Sequence, residues 1–213
     1  MNTVAKLGTE AERWSKPRHA GVRPPPRQTY SVRTAPDRDD IFEHLTARDG
    51  TPLVLRPIRK DDAEALRRGF QRLTPEEVRM RFLHPLNELL EPIARELCDL
   101  DPTTAYAWVI ADPDDGPSPE IHAVARGYID RALDQAEFAI VVEGRLKGQG
   151  FGTLLMHRVI DSARKLGISE LWGDVLFENG PMLAVCEHLG FKRESALHDP
   201  GIVRVTLDLT KAA

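Results

Sequence analysis

Cysteine is almost missing: two residues in 213, Cys98 and Cys186, leave no disulfide framework and no CxxC or Cys/His spacing that could hold a structural metal. That scarcity suits a reducing compartment, and a cytoplasmic protein is the expectation. Long hydrophobic runs are missing too. Stretches such as Phe138 to Val142 fall far short of the ~20 apolar residues of a membrane helix. The opening residues MNTVAKLGTEAERW contain no apolar h-region, so neither a membrane span nor a secretory leader is expected. A strong excess of positive charge is absent as well. The formal charge of -4 and pI near 6.0 argue against a general nucleic-acid binder. His122, His157 and His188 lack metal-ligand spacing, so no metal is expected, and Trp108 and Trp172 lie in strand-like stretches where burial is the ordinary explanation.

The charge that is present is unevenly spread. The first 38 residues hold Lys6, Arg13, Lys16, Arg18, Arg23, Arg27, Arg33 and Arg38 against Glu10, Glu12 and Asp37. Residues 1–40 include RPPPR and few large apolar side chains, too few to offset the entropy of ordering a chain. They read as a disordered, basic, Pro/Arg-rich arm. Such an arm can bind an acidic partner, although a solvated tail is the simpler reading.

From residue 50 to about 210 the pattern is that of one globular domain. LVLRPI (53–58) alternates like a strand, and Ala63, Leu66, Phe70 and Leu73 then recur at helical spacing. Thr74-Pro75-Glu76-Glu77 is a helix start with a capping box, and Leu89, Leu90, Ile93 and Leu97 extend the helical pattern to about Leu100. Strands follow at 105–111, 121–129 and 137–143, the first two divided by the turn-forming PDDGPSP. A glycine turn then opens a helix to about Leu166, with Gly167 as its stop. Strand 170–177, a helix from Pro181 to Gly190 and strand 202–209 complete the order β, α, α, β, β, β, α, β, α, β. Runs of strands broken by single helices imply an α/β (α+β) fold, a mixed sheet with helices on both faces.

The chemistry concentrates in VVEGRLKGQGFGTLLMHRVI (141–160), a strand leading through Gly148, Gly150 and Gly152 into an amphipathic helix. Glycines let successive amides surround a phosphate, and the helix start adds unpaired N–H groups and a positive dipole end. Arg145 and Lys147 add charge. KGQGFG lacks the GK(S/T) ending of a P-loop and the GxGxxG spacing of a dinucleotide fold. It resembles the acyl-CoA signature of the GNAT superfamily, Q/R-x-x-G-x-G/A, on Lys147, Gly150 and Gly152, with Lys in place of Arg or Gln. ENGPMLAVCEHLGF (178–191) resembles the family's later Asn-to-LGF segment.

The resemblance covers most of 50–210. The words LRPIRKDDAEAL, RLTPEEVRMRF, AEFAIVV and GDVLFENGPML are most similar to the bacterial Pat-type protein lysine acetyltransferases. It implies a mostly antiparallel sheet of about six to seven strands, splayed between the family's fourth and fifth strands, here 137–143 and 170–177. It implies acetyl-CoA as co-substrate, cradled by Ile140, Val141, Val142, Arg145 and the turn Lys147, Gly148, Gln149, Gly150, Phe151, Gly152 and Thr153, with Asn179 beyond. The acceptor implied is a protein lysine, for instance on an acyl-CoA synthetase. A small amine as acceptor, or a non-catalytic acyl-CoA sensor, are the alternatives.

A lysine amine is protonated at neutral pH and must lose a proton before it attacks a thioester. The resemblance assigns that task to Glu137. Glu143 is the other carboxylate nearby, but it lies beside the turn, where it would repel phosphate. Free amides near Ile140 to Val142 can serve the oxyanion. The family's usual proton donor, a tyrosine on the last helix, is replaced here by Cys186, whose apolar rhythm with Leu183 and Leu189 also fits plain packing.

Overall fold

The computed structural model describes residues 43–113, 118–195 and 201–210. The expected arm at 1–40 and the middle of the PDDGPSP turn lie outside the described residues. The strands are β1 (Glu43–Thr46), β2 (Pro52–Pro57), β3 (Ala105–Ala111), β4 (Ile121–Asp130), β5 (Gln135–Val142), β6 (Glu170–Leu176), β7 (Lys192–Ser195) and β8 (Ile202–Asp208). Among the described residues they form one sheet in the order β1-β2-β3-β4-β5-β6-β8-β7, antiparallel except for β5 and β6. The sheet is therefore mixed and mostly antiparallel, with eight strands rather than six or seven. The additions are the two edges. EHLT and KRES are short and polar, as edge strands often are, and they carry no alternation to read.

The helices are α1 (Ala63–Arg72), α2 (Pro75–Phe82), α3 (Glu91–Cys98), α4 (Phe151–Lys165) and α5 (Gly180–His188). The helical pattern expected to run from Thr74 to Leu100 is thus two helices. α2 stops at Leu83, whose φ of 61° is left-handed, and Pro85 then disfavours helical backbone at the residue before it. α3 restarts with Pro92 in its first turn, where a missing N–H costs nothing.

Strand alternation divides the core between the two faces of the sheet. On one face Leu55, Ile110, Ala125 and Phe138 pack beneath Leu155 and Val159 of α4 and Leu183 and Cys186 of α5. On the other, Val54, Val109 and Val124 pack beneath Leu66 and Phe70 of α1 and Ala94 and Cys98 of α3. Arg56 at the end of β2 forks onto buried Asp62 at 2.7 and 2.8 Å, and Asp62 also accepts the Arg59 amide at 2.7 Å. This pair ties β2 to the start of α1.

The feature that positions the site is the parting of β5 from β6. They stay in register over three pairs only, Gln135 with Glu170, Ala136 with Leu171 and Glu137 with Trp172. Beyond Glu137, β5 continues against β4 and β6 continues against β8. Phe138 is the first β5 residue past the last pair, and its ring occupies the space over Gly173. A Cβ on Gly173 would lie 2.6 Å from two carbons of that ring. Phe191 closes the other side edge-on, 5.4 Å between centroids. A rigid ring at the fork and a strand glycine beneath it are one device.

Candidate active site

The fork opens into a cleft of about 760 Å³ running from Glu137 along Phe138 to Val142 and on to the glycine turn. The Glu143 amide donates to the His122 carbonyl at 2.9 Å on β4. By two-residue alternation the Val141 amide faces β4 as well, and those of Ile140 and Val142 face the opening. Val141 still lines the cleft with its side chain.

At the far end Gly148 and Gly150 take left-handed φ values of 69° and 87°, and a Cβ at either would meet nothing within 4 Å. Their requirement is conformational, and the space above them is open. Gly150 caps α4. Leu154 is the first amide of that helix to bond back, to the Gly150 carbonyl at 3.0 Å, so helix geometry leaves the amides of Phe151, Gly152 and Thr153 for an anion. The open cradle, the strand amides and the helix start fit a pyrophosphate carried on a pantetheine arm.

The expected cofactor residues fall into two sets. Ile140, Val141, Val142, Lys147, Gly148, Gly150, Gly152, Thr153 and Asn179 line the cleft. Arg145, Gln149 and Phe151 are not among its lining residues. Arg145 turns to the His122 ring at 2.9 Å and to Glu143 at 3.2 Å. Gln149 accepts the Arg48 amide at 2.7 Å and donates to the Arg145 carbonyl at 2.8 Å, and Phe151 is buried in the core. These three brace the turn from behind. Asn179 caps α5, accepting the Met182 amide at 3.2 Å.

Lys147 is held by Glu77 at 2.6 Å. Burial works against the Glu77 carboxylate, but Lys147 and the Thr74 amide outweigh it and hold its pKa below the ordinary value. One residue thus closes the capping box of α2 and anchors the glycine turn, a second role the capping signature conceals. Glu143 is engaged by His122 at 2.9 Å, whose other ring nitrogen meets Asp112 at 2.8 Å. Arg48, whose guanidinium reaches the Gly148 carbonyl at 3.1 Å, Arg81 and Asp174 at the cleft were not anticipated. Each comes from an element remote in sequence, and no local pattern announces them. Asp174 is forked by Arg204 at 2.9 Å, and Arg204 stacks on Trp172 at 4.1 Å.

Cys186 is 1% exposed in the core and is not among the cleft-lining residues. Burial raises its thiol pKa to about 12, with Arg193 acting weakly the other way. Among the described residues no group of three His, Cys, Asp or Glu side chains could hold a metal, and no helix is long and apolar enough to cross a membrane.

Residues 52–192 match the acetyltransferase (GNAT) domain family. The chain belongs to the GNAT family. It is an N-acetyltransferase with acetyl-CoA as co-substrate. Acetyltransferase PA5475 of Pseudomonas aeruginosa is 29% identical to this GNAT chain over 143 residues, 67% of this chain and 76% of that protein. Acetyltransferase Pat of Mycolicibacterium smegmatis is 29% identical over 171 residues, 78% of this chain but 48% of Pat, so the chain spans about half of Pat. The GNAT domain of S. lividans PAT superposes with a TM-score of 0.67 at 24% identity, covering 78% of this chain and 96% of that one. Spermidine N-acetyltransferase of Vibrio cholerae, solved with CoA and spermine, gives 0.58 at 19%, covering 75% and 96%. At those identities the two structures speak for the fold.

Proposed function

We propose that the chain transfers acetyl from acetyl-CoA to a protein lysine side chain, with Glu137 as general base. The observation that carries the reading is the place of Glu137: it is the last residue of β5 that pairs with β6, where the strands part and the cleft begins. The thioester supplies an activated acetyl group when bound. Ile140 and Val142 offer amides to it, and Lys147, Gly148, Gly150 and the first turn of α4 hold the phosphates. Five carboxylates line the cleft, Glu76, Glu77, Glu137, Asp174 and Glu178, of which Glu77 pairs with Lys147, Asp174 with Arg204 and Glu178 with Arg79. A carboxylate at the fork suits an incoming ammonium, which Glu137 then relieves of its proton. The preference for lysine over a small amine is supported by the extent of the likeness to Pat.

Cys186 has a packing role in this account, and the thiolate leaves without an acid from α5. Residues 1–40 are taken as an arm apart from a domain over 50–210. Two buried, unpaired cysteines suit the cytoplasm as its setting.

The test is turnover of acetyl-CoA by the purified chain with candidate proteins, including acyl-CoA synthetases, beside spermidine and other small amines. Mass spectrometry should find acetyl-lysine at defined positions in a protein. Turnover confined to small amines would move the assignment to those acceptors, and binding without turnover would make the chain a sensor.

A further inference from the structure

β4 carries a buried arginine on the face away from α4. Arg126 is 2% exposed. Its Nη1 donates to the Leu97 carbonyl at 2.9 Å, and among the described residues it makes no ion pair. A guanidinium carries five donors and a charge that is costly to bury without a counter-charge. Neither Cys98 nor Asp62 supplies one. Burial pushes the Cys98 thiol up to about 12, so it stays neutral at physiological pH, and Asp62 is committed to Arg56. Arg81, which borders the same cavity as Arg126, carries a like charge. Burial presses against the charged form of Arg81, Tyr128 and Glu137 support it, and Arg126 adds to the pressure.

Arg126 borders a cavity of about 50 Å³ beneath α1, α2 and α3, walled by Leu66, Phe70, Leu97 and Val124, with Arg81 at its edge. His122 also borders it, but both its ring nitrogens already face carboxylates. One water needs roughly 10–15 Å³, so the space takes about three to five water-sized groups, the bulk of a two- to three-carbon acid. The walls are apolar and the polar end is a planar fork. A carboxylate matches the fork with paired charge-assisted hydrogen bonds, and a short alkyl tail matches the walls.

We propose that this cavity is a binding site for a short-chain monocarboxylate, held by Arg126 and adjoining the acetyl-CoA cleft, with which it shares Arg81 and Val141. The proposal does not depend on the acceptor of the acetyl group. The full chain is titrated calorimetrically and melted with sodium propionate, sodium acetate and sodium chloride at matched ionic strength. Propionate should give saturable binding and a saturable rise in Tm, chloride should give neither, and Arg126→Met should lose both effects. Arg126→Lys keeps the charge without the fork and should bind propionate at least about tenfold more weakly, which keeps the test decisive if the Met variant does not fold. The proposal is overturned if propionate leaves the wild type unchanged, if chloride acts as strongly, or if either variant binds propionate as the wild type does.

Discussion

Replacing Gly173 by alanine probes the fork directly. The added Cβ would sit 2.6 Å from Cε1 and Cζ of Phe138 and 2.9 Å from Cδ1, against an ordinary contact of 3.5–4.0 Å. Relief requires the ring to move by about 1 Å, yet Phe191 packs on it. Phe191 blocks one direction, and movement in the other pushes the ring into the cleft that it lines. Overpacking of this kind costs about 1–3 kcal/mol, which for a chain of 213 residues lowers Tm by roughly 2–12 °C. Acetyl-CoA affinity should fall as well, because the displaced ring borders the amides of Ile140 and Val142. Phe138→Leu in the same chain frees space, so the double variant should lose less stability than the sum of the singles. Melting curves and calorimetric titration of the four proteins close the cycle. Full stability in Gly173→Ala, or strict additivity in the double variant, would refute the wedge.

Acetyl-CoA at millimolar concentration should raise Tm, since it binds only the folded chain, and Gly150→Glu should abolish the rise by placing a carboxylate and a strained φ in the cradle; an equal shift in that variant would displace the site. Lys147→Met should be less stable than the wild type at neutral pH. Because the Glu77 pKa is lowered in the folded state, the difference is present above the unfolded carboxylate value and lost as pH falls through the lowered one; a pH-independent gap in urea denaturation would contradict this. Cys186→Ala should keep at least about a tenth of wild-type turnover, a loss under ~1.4 kcal/mol, as a buried thiol with pKa near 12 supplies no proton in the cleft. A hundredfold fall in a folded Cys186→Ala protein would make it the acid.

Much of this was legible because local rules and the fold agree. The alternation of IVRVTLDL, the capping box at Thr74 and the stop at Gly167, with φ of 73°, are signals confined to a few residues. The glycine turn was legible for the same reason: it is one contiguous segment whose left-handed backbone at Gly148 and Gly150 calls for glycine. What escaped the sequence depends on distance along the chain. β1 and β7 are strands only because β2 and β8 offer them an edge. Glu77 reads as a cap until folding brings Lys147, seventy positions later, to its second oxygen. Arg145 reads as a phosphate ligand until the start of β4 supplies His122 and competes for it. The break between α2 and α3 was partly visible in Pro85, but the apolar spacing of Leu89 to Leu97 continued across it and concealed the left-handed Leu83.

The most direct test of the account is Glu137→Gln, which keeps size and hydrogen bonding and removes the base. Steady-state acetyl transfer and calorimetric binding of acetyl-CoA are measured from pH 6 to pH 9, with folding checked by circular dichroism. The account predicts wild-type cofactor affinity and a loss of about 10²- to 10⁴-fold in turnover near pH 7. The loss should shrink as pH rises, because more of the amine is then already neutral. Unchanged turnover at pH 7, or acetyl-CoA binding that falls in step with turnover, would contradict the assignment of Glu137 as the base.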